Sequence, residues 1–492
     1  MSYFGLLIIA LAIEYSIIII EKVLYRIIVS LAVFVLLVLT AVVELWHGLN
    51  LFTILLAVAT IYQLINLYKF NFSEKPNKYL INTFVRSWYI IAVIEVFAFG
   101  AATLISLSGY ISFVTLIVVQ STVLLVLYFS LIRNFLKLNP KIKNKIHLSD
   151  LELPTVTVAI PARNEDEQLI ICLDSLISSD YPKLEILVLD DCSQSKRTSQ
   201  IIRSYAQSGV TFIQGEAPKS NYLAKNFAYQ ELLEVANGQF ILYAGVDVRF
   251  RSDSIRKIVE FILINKKNMI SILPNTILPS RARLRVVLIQ SLRYLWELGL
   301  PRRQFNKPPV LSTCWMINRQ LLIHQGGFKG LRREIIPERT LASRISRIKD
   351  GYVFMKSGQY FGINSYKDFL AQYQTAIRVK YPSLKQRLEL VMLVSIIEIV
   401  LFGGIIFDLL AAIFVPSWIL LVWSIVIFGL INIVYFSLLK FLFNKYYYSA
   451  LIYGSILLLV DVVLWNISMI KYEFSEVIWK NRNVCIPTMR LD

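Results

Sequence analysis

Three apolar runs in the middle of this chain each end on polar residues able to do chemistry. Arg163, Asn164 and Glu165 follow the first run, Asp190 and Asp191 close the second, and Asp247 lies just beyond the third. Carboxylates gathered this way have two physical uses. They hold a divalent ion such as Mg2+ or Mn2+ against a diphosphate, or they hydrogen-bond a base and a ribose. A third reading needs no ligand, because Asp and Asn at strand-to-helix turns cap the following helix. Recurrence on successive runs favours one shared site over separate caps. No GxGxxG or GxxxxGK[ST] loop occurs, which argues against a dinucleotide site or a P-loop ATPase. Cys172, Cys192, Cys314 and Cys485 show no CxxC spacing and the three histidines are scattered, so no zinc site is expected.

The elements that must position these residues read as α/β. VTVAI (156–160) is a continuous β-branched run of the kind found in buried parallel strands. Helical spacing follows at 165–178, then LEILVLD (184–190), a helix at 196–207, the short strand VTFI (210–213), a helix at 222–236 and QFILYAG (239–245). Strands alternating with helices predict βαβ units and a parallel sheet, with ligands at the carboxyl ends of its strands.

Five segments within this block, in order, carry a family resemblance: PTVTVAIPARNEDEQL (154–169), EILVLDDCSQSKRT (185–198), SNYLAKNFAYQELLEVANGQFILYAGVDVRF (220–250), STCWMINRQLLIHQGGF (312–328) and IIPERTLASRI (335–345). Together they resemble a membrane-bound glycosyltransferase of family two with the GT-A nucleotide-sugar fold, of the lipid-directed, non-processive type. The resemblance implies that Asn164, Glu165, Asp190 and Asp191 serve the nucleoside of the donor and that Lys225 lies near its diphosphate. It implies that Asp247, the second acid of a D-x-D motif, holds Mg2+ or Mn2+, and that Glu338 is the catalytic base. Gly326, Gly327 and Arg378 fall on the acceptor side. A base that takes the acceptor proton is worth about 10²–10⁴-fold, and cations opposite it stabilise the departing nucleoside diphosphate.

The sequence also departs from the family pattern. Gly245 stands where the first D-x-D acid is expected, Ala224 replaces a glycine before Lys225, and Ser195 falls near an expected Asp. Pro337-Glu338 replaces Glu-Asp, setting the carboxylate one methylene further from its backbone. The Q-x-x-R-W of processive synthases is absent, its nearest match being Gln374 to Arg378-Val379, which argues against a polysaccharide synthase.

The whole chain is 492 residues, 56% hydrophobic and only 17% charged, with a net charge of +18 and a mean hydropathy of +0.59. Soluble domains average about 25% charged residues, so this is the composition of a membrane protein. Apolar stretches long enough to span fall at 4–20, 27–46, 50–68, 88–107 and 111–132, and again at 389–413, 417–438 and 449–470. The first has no preceding basic residue or small-residue cleavage site and reads as an anchor. Lys22, Arg26, Lys69, Lys75, Lys78 and Arg86 lie in alternate loops, while 47–50 and 106–111 carry no Lys or Arg. The positive-inside rule therefore places the polar block in the cytoplasm, and the expected location is the cell membrane of a prokaryote. The expected organisation is an N-terminal membrane domain (1–137), a cytoplasmic GT-A-like α/β domain with a parallel-rich sheet (138–388), C-terminal membrane helices (389–470) and a basic tail (471–492).

Two basic amphipathic stretches, 281–303 and 366–387, are expected to lie in the headgroup plane. Glu14, Glu44, Glu95, Glu398, Asp408 and Asp461 fall within spans, where such residues are commonly functional, and Glu95, Asp408 and Asp461 suit a polar cavity. The tail FSEVIWKNRNVCIP (474–487) resembles the W-x-G-R segment of lipid-directed family members, which implies that it returns to the cytoplasm. One of the last three apolar stretches is then re-entrant. The function expected is inverting transfer of a sugar from a nucleotide-sugar donor to a membrane lipid or polyprenyl-type acceptor, with no nucleic-acid partner. The motif departures motivate a competing reading as an impaired scaffold or lipid-binding protein. The intramembrane acids motivate a transporter with a regulatory domain, although no inverted repeat is evident.

Overall fold

The run read as the first strand forms β1 (Val156–Ala162), and six of its seven residues are buried, because helices cover both faces of a parallel sheet. The computed structural model describes residues 113–140, 148–218, 222–277, 284–299, 308–347, 351–384, 388–403, 418–443, 450–474 and 477–484, with a few single positions besides. The chain divides into two compact units, one comprising Val119–Gln386 and Ser395–Ile486 and the other Met1–Val118, Arg387–Val394 and Pro487–Asp492. Among the described residues, the first unit holds every strand and all the candidate site residues.

Six further strands join β1: β2 (Leu184–Asp190), β3 (Val210–Gln214), β4 (Phe240–Ala244), β6 (Met269–Leu273), β8 (Cys314–Asn318) and β9 (Tyr352–Lys356), in the order β3-β2-β1-β4-β8-β6-β9. Only β8 runs against its neighbours, pairing antiparallel with both β4 and β6. Register places the site. Ala162 pairs with Asp190, and Asp190 with Gln214, so three strands end level and their following loops open on one edge. Beside this sheet β5 (Val248–Arg249), β7 (Asn275–Ile277) and β10 (Asn364–Tyr366) form a smaller one in the order β5-β10-β7. Finally β11 (Ile478–Trp479) and β12 (Arg482–Asn483) make a hairpin.

Among the described residues, Val118–Leu138 and Leu421–Phe443 are helices long and apolar enough to cross a membrane. Val126, Phe129, Trp423 and Ile425 stand exposed on them, as lipid-facing side chains do. The stretches 4–20, 27–46, 50–68 and 88–107 lie outside the described residues, as do Glu14, Glu44, Glu95 and Asp408.

The helix Phe369–Ser383 differs from expectation. Its Lys380 faces a neighbouring helix, because Phe369–Ser383 packs along Ala450–Phe474. Lys380 is buried there in an ion pair with Asp461 and lies 4.3 Å over the ring of Trp465. Trp465 Nε1 donates to Asp461 at 3.1 Å and to Glu398 at 3.2 Å, and Trp296 Nε1 donates to Glu398 at 2.6 Å. A buried lysine is tolerable only with such a counter-charge. Asp461 thus holds a helix in place, which is a structural use for one of the acids read from the spans.

Candidate active site

At the level edge of β1 and β2 the loops are stitched together by their own polar groups. Asn164 adopts a left-handed conformation (φ 48°), tolerable for Asn. Its backbone N–H donates to Ser193 Oγ, and its Oδ1 accepts from the Gln194 N–H, both at 2.9 Å. Asp190 Oδ1 accepts from the Ser193 N–H at 3.0 Å. These two residues therefore do the turn work of the ligand-free reading, shaping the rim. Glu165 and Asp191 are different, because their carboxylates face another part of the chain.

That part is the β11–β12 hairpin, whose turn residues Lys480 and Asn481 have φ of 51° and 57°, the signature of a tight two-residue turn. Lys480 pairs with Glu165 at 2.8 Å, and Arg482 Nη1 reaches both oxygens of Asp191 at 2.8 and 2.9 Å. The carbonyl of Lys480 accepts from Arg163 Nε at 3.0 Å and Asn164 Nδ2 at 3.2 Å. Burial raises the carboxyls of Glu165 and Asp191 above their ordinary values, while Lys480 and Arg482 oppose that rise. Trp479 carries the guanidinium of Arg378 at 4.9 Å over its ring. Trp479, Lys480 and Arg482 are thus site residues that the motifs did not name. Their only sequence signal was the Trp-to-Arg run in the tail, whose hairpin lies against the loops that follow β1 and β2.

Past β4 the chain turns at Gly245, and Asp247 is held from β10. Ser365 Oγ donates to Asp247 Oδ2 at 2.9 Å, the Tyr366 N–H donates to the Asp247 carbonyl at 3.0 Å, and Lys367 Nζ lies 3.5 Å from Oδ2. A Cβ on Gly245 would fall 2.5 Å from Asp247 Oδ1, so the carboxylate occupies the space of the missing D-x-D acid. Arg293, Thr313, Ser365, Lys367, Gln372 and Thr375 line a small cleft beside it.

The donor set bears on the expected Mg2+ or Mn2+. It consists of one carboxylate, already hydrogen-bonded by Ser365 and faced by an ammonium, where a hard cation wants several free oxygens. No three His, Cys, Asp or Glu gather elsewhere among the described residues. The assignment of Asp247 as a metal ligand does not fit these surroundings.

Glu338 is fully buried (0% exposed) in the first turn of the helix Pro337–Arg347. Proline at that helix start loses no needed N–H, and the helix N-terminus favours a carboxylate. Glu338 Oε1 meets Lys225 Nζ at 2.6 Å, whereas Oε2 has no partner among the described residues. An unmet buried acceptor costs free energy and invites a donor. Lys225 sits on the helix Ala224–Val235, which Tyr229 fastens to Tyr243 (ring centroids 4.6 Å apart) and Phe328 (5.2 Å). The sequence-expected diphosphate lysine and base are therefore direct partners.

Gly326 and Gly327 form a left-handed turn (φ 83° and 58°), and a Cβ on Gly327 would lie 2.7 Å from Gln230 Oε1. Gln230 and Leu233 of the Lys225 helix are the neighbours of Gly327, so this turn shapes a support for that helix. Gly327→Ala is expected to destabilise the fold by about 1–2 kcal/mol from backbone strain alone. A thermal midpoint equal to the parent's would contradict this.

Residues 157–326 match the profile described as Glycosyl transferase family 2. The chain carries a family-two glycosyltransferase domain. Among solved structures it is similar to the mannosyltransferase PcManGT from Pyrobaculum calidifontis in complex with GDP-Man and Mn2+. That similarity is at 15% identity, with a TM-score of 0.43, over 73% of this chain and 96% of that one. It is also similar to S. aureus TarS 1–349 in complex with UDP, at 17% identity with a TM-score of 0.31, over 46% of this chain and 64% of that one. No curated protein matches the chain in sequence. The match to the glycosyltransferase family ends before Glu338, so the placement of that carboxylate rests on the geometry of this domain.

Proposed function

We propose that this glycosyltransferase moves a sugar from a nucleotide-sugar donor to the hydroxyl of a membrane lipid, by a single inverting displacement at the cytoplasmic face. The observation that carries the reading is Glu338, a buried carboxylate with one oxygen tied to Lys225 and the other free. In this reading Glu165 and Asp191 receive the nucleoside, and the diphosphate lies towards Asp247. The free Glu338 oxygen takes the acceptor proton as the acceptor oxygen attacks the anomeric carbon, a role worth about 10²–10⁴-fold. Apolar helices beside the domain favour an acceptor that arrives through the bilayer, and the absence of a Q-x-x-R-W favours one transfer per acceptor.

The test is nucleoside diphosphate release from the purified full chain with a panel of nucleotide sugars and lipid extracts. Release that depends on both a sugar nucleotide and a lipid fraction is expected. Release with water-soluble acceptors alone would overturn the lipid assignment.

Donor binding should also depend on pH. The raised carboxyls of Glu165 and Asp191 accept hydrogen bonds most strongly, and at both oxygens, when ionised, so affinity is greatest above their pKa values and weakens as pH falls through them. The loss is expected at higher pH than for exposed carboxylates, which titrate near about 3.9–4.3. Nucleoside diphosphate titrations from neutral pH downwards check it, and a midpoint in the ordinary carboxylate range would refute it.

A further inference from the structure

We infer that cationic side chains, Lys367 foremost, stand at the donor diphosphate in place of a divalent ion, so that donor binding requires no metal. The inference rests on the donor reading above and concerns how the leaving group is neutralised. Two observations at Asp247 carry it. Position 245 has no side chain, and the single remaining carboxylate already accepts from Ser365 at 2.9 Å and faces Lys367 Nζ at 3.5 Å. A divalent cation placed on Asp247 would meet that ammonium at close range, where like charges repel strongly.

The surroundings supply positive charge without an ion. Arg293 and Lys367 line the cleft, Arg378 lies over Trp479 within electrostatic reach of Lys367, and Lys225 is tied to Glu338. The guanidinium groups of Arg293 and Arg378 have no hydrogen-bond or ion-pair partner among the described residues. Burial pushes the ammonium of Lys367 down from its ordinary value; Arg293 and Arg378 push it the same way and Asp247 opposes them. Four cations thus crowd two carboxylates, Asp247 and Glu338. A group carrying one negative charge per phosphate relieves that excess.

The step balances with these groups alone. The bond between the anomeric carbon and the diphosphate oxygen breaks, and its electron pair stays on that oxygen. The new charge is met by Lys367 and the neighbouring guanidinium groups, through charge-assisted hydrogen bonds. The acceptor oxygen forms the new bond to the anomeric carbon, and its proton passes to Glu338.

Calorimetric titration of the full chain in detergent tests this, using UDP, GDP, CDP, ADP and dTDP in EDTA and again with Mn2+. The nucleotide that binds is expected to do so within about twofold in both buffers. Lys367→Met and Lys367→Gln should weaken it about 10- to 100-fold, with Lys367→Arg restoring most of the loss. Binding that disappears in EDTA and returns with Mn2+ would overturn the inference while leaving the donor reading intact. Parent-like binding by Lys367→Met would overturn it too. Absence of binding in both buffers would remove the donor reading and the inference together.

Discussion

Glu338→Gln is expected to lower the transfer rate by about 10²–10⁴-fold while leaving nucleoside diphosphate affinity near that of the parent. The amide keeps the size of the side chain, and its carbonyl oxygen can still accept from Lys225, which meets Oε1 at 2.6 Å in the parent. What it loses is the capacity to take a proton at the position where Oε2 stands free. Glu338→Asp should fall between the two, because withdrawing the carboxylate by one methylene breaks the contact with Lys225. Single-turnover rates, nucleotide titrations and a thermal melt on the same preparations separate chemistry from folding. A Glu338→Gln protein that turns over at a tenth of the parent rate or faster would take Glu338 out of the catalytic role. The family's Asp-to-Glu exchange would then be a packing feature of a fully buried helix start.

The first half of the α/β domain was legible in the sequence because its signals are local. The run at 184–190 gives β2 with the same ends, and 156–160 gives the body of β1. These are β-branched stretches bounded by turn residues, where pattern and structure coincide. The position of β8 between β4 and β6 was not legible, since its partners lie far apart in the chain and pairing depends on the sheet as a whole. Among the candidate site residues, Asp191, Lys225, Asp247 and Glu338 were singled out through motif register. Motifs did not reveal that Lys225 and Glu338 touch, or that Asp247 is held by Ser365 and Lys367 from another strand. The hairpin around Trp479 was the least legible part. It has two residues per strand and no periodicity, and it is positioned by ion pairs to residues about three hundred positions earlier. Its basic residues Lys480 and Arg482 are counter-charges for Glu165 and Asp191.

Asp191 and Arg482 should then behave as one unit in donor binding. Their side chains are 8% and 19% exposed, so each would be left without its main counter-charge if the other were removed. A carboxylate offers about four lone-pair sites, so Arg482 on both oxygens still leaves room for ribose hydroxyls. The hairpin therefore walls the pocket without filling the acid's capacity. Asp191→Ala is expected to weaken nucleoside diphosphate binding about 10- to 100-fold, through lost hydrogen bonds to a charged acceptor. Arg482→Ala should cost about tenfold, because the hairpin loosens and Trp479 leaves Arg378. The double variant should bind no more weakly than Asp191→Ala alone, a coupling of about 1–3 kcal/mol in the cycle. Limited proteolysis of the ligand-free variants supplies a second readout, with cleavage near Lys480 expected in either single variant and not in the parent. Strictly additive losses would show that the hairpin and the acid contribute separately, and the pocket wall would have to be sought in Arg163 and the β1 loop instead.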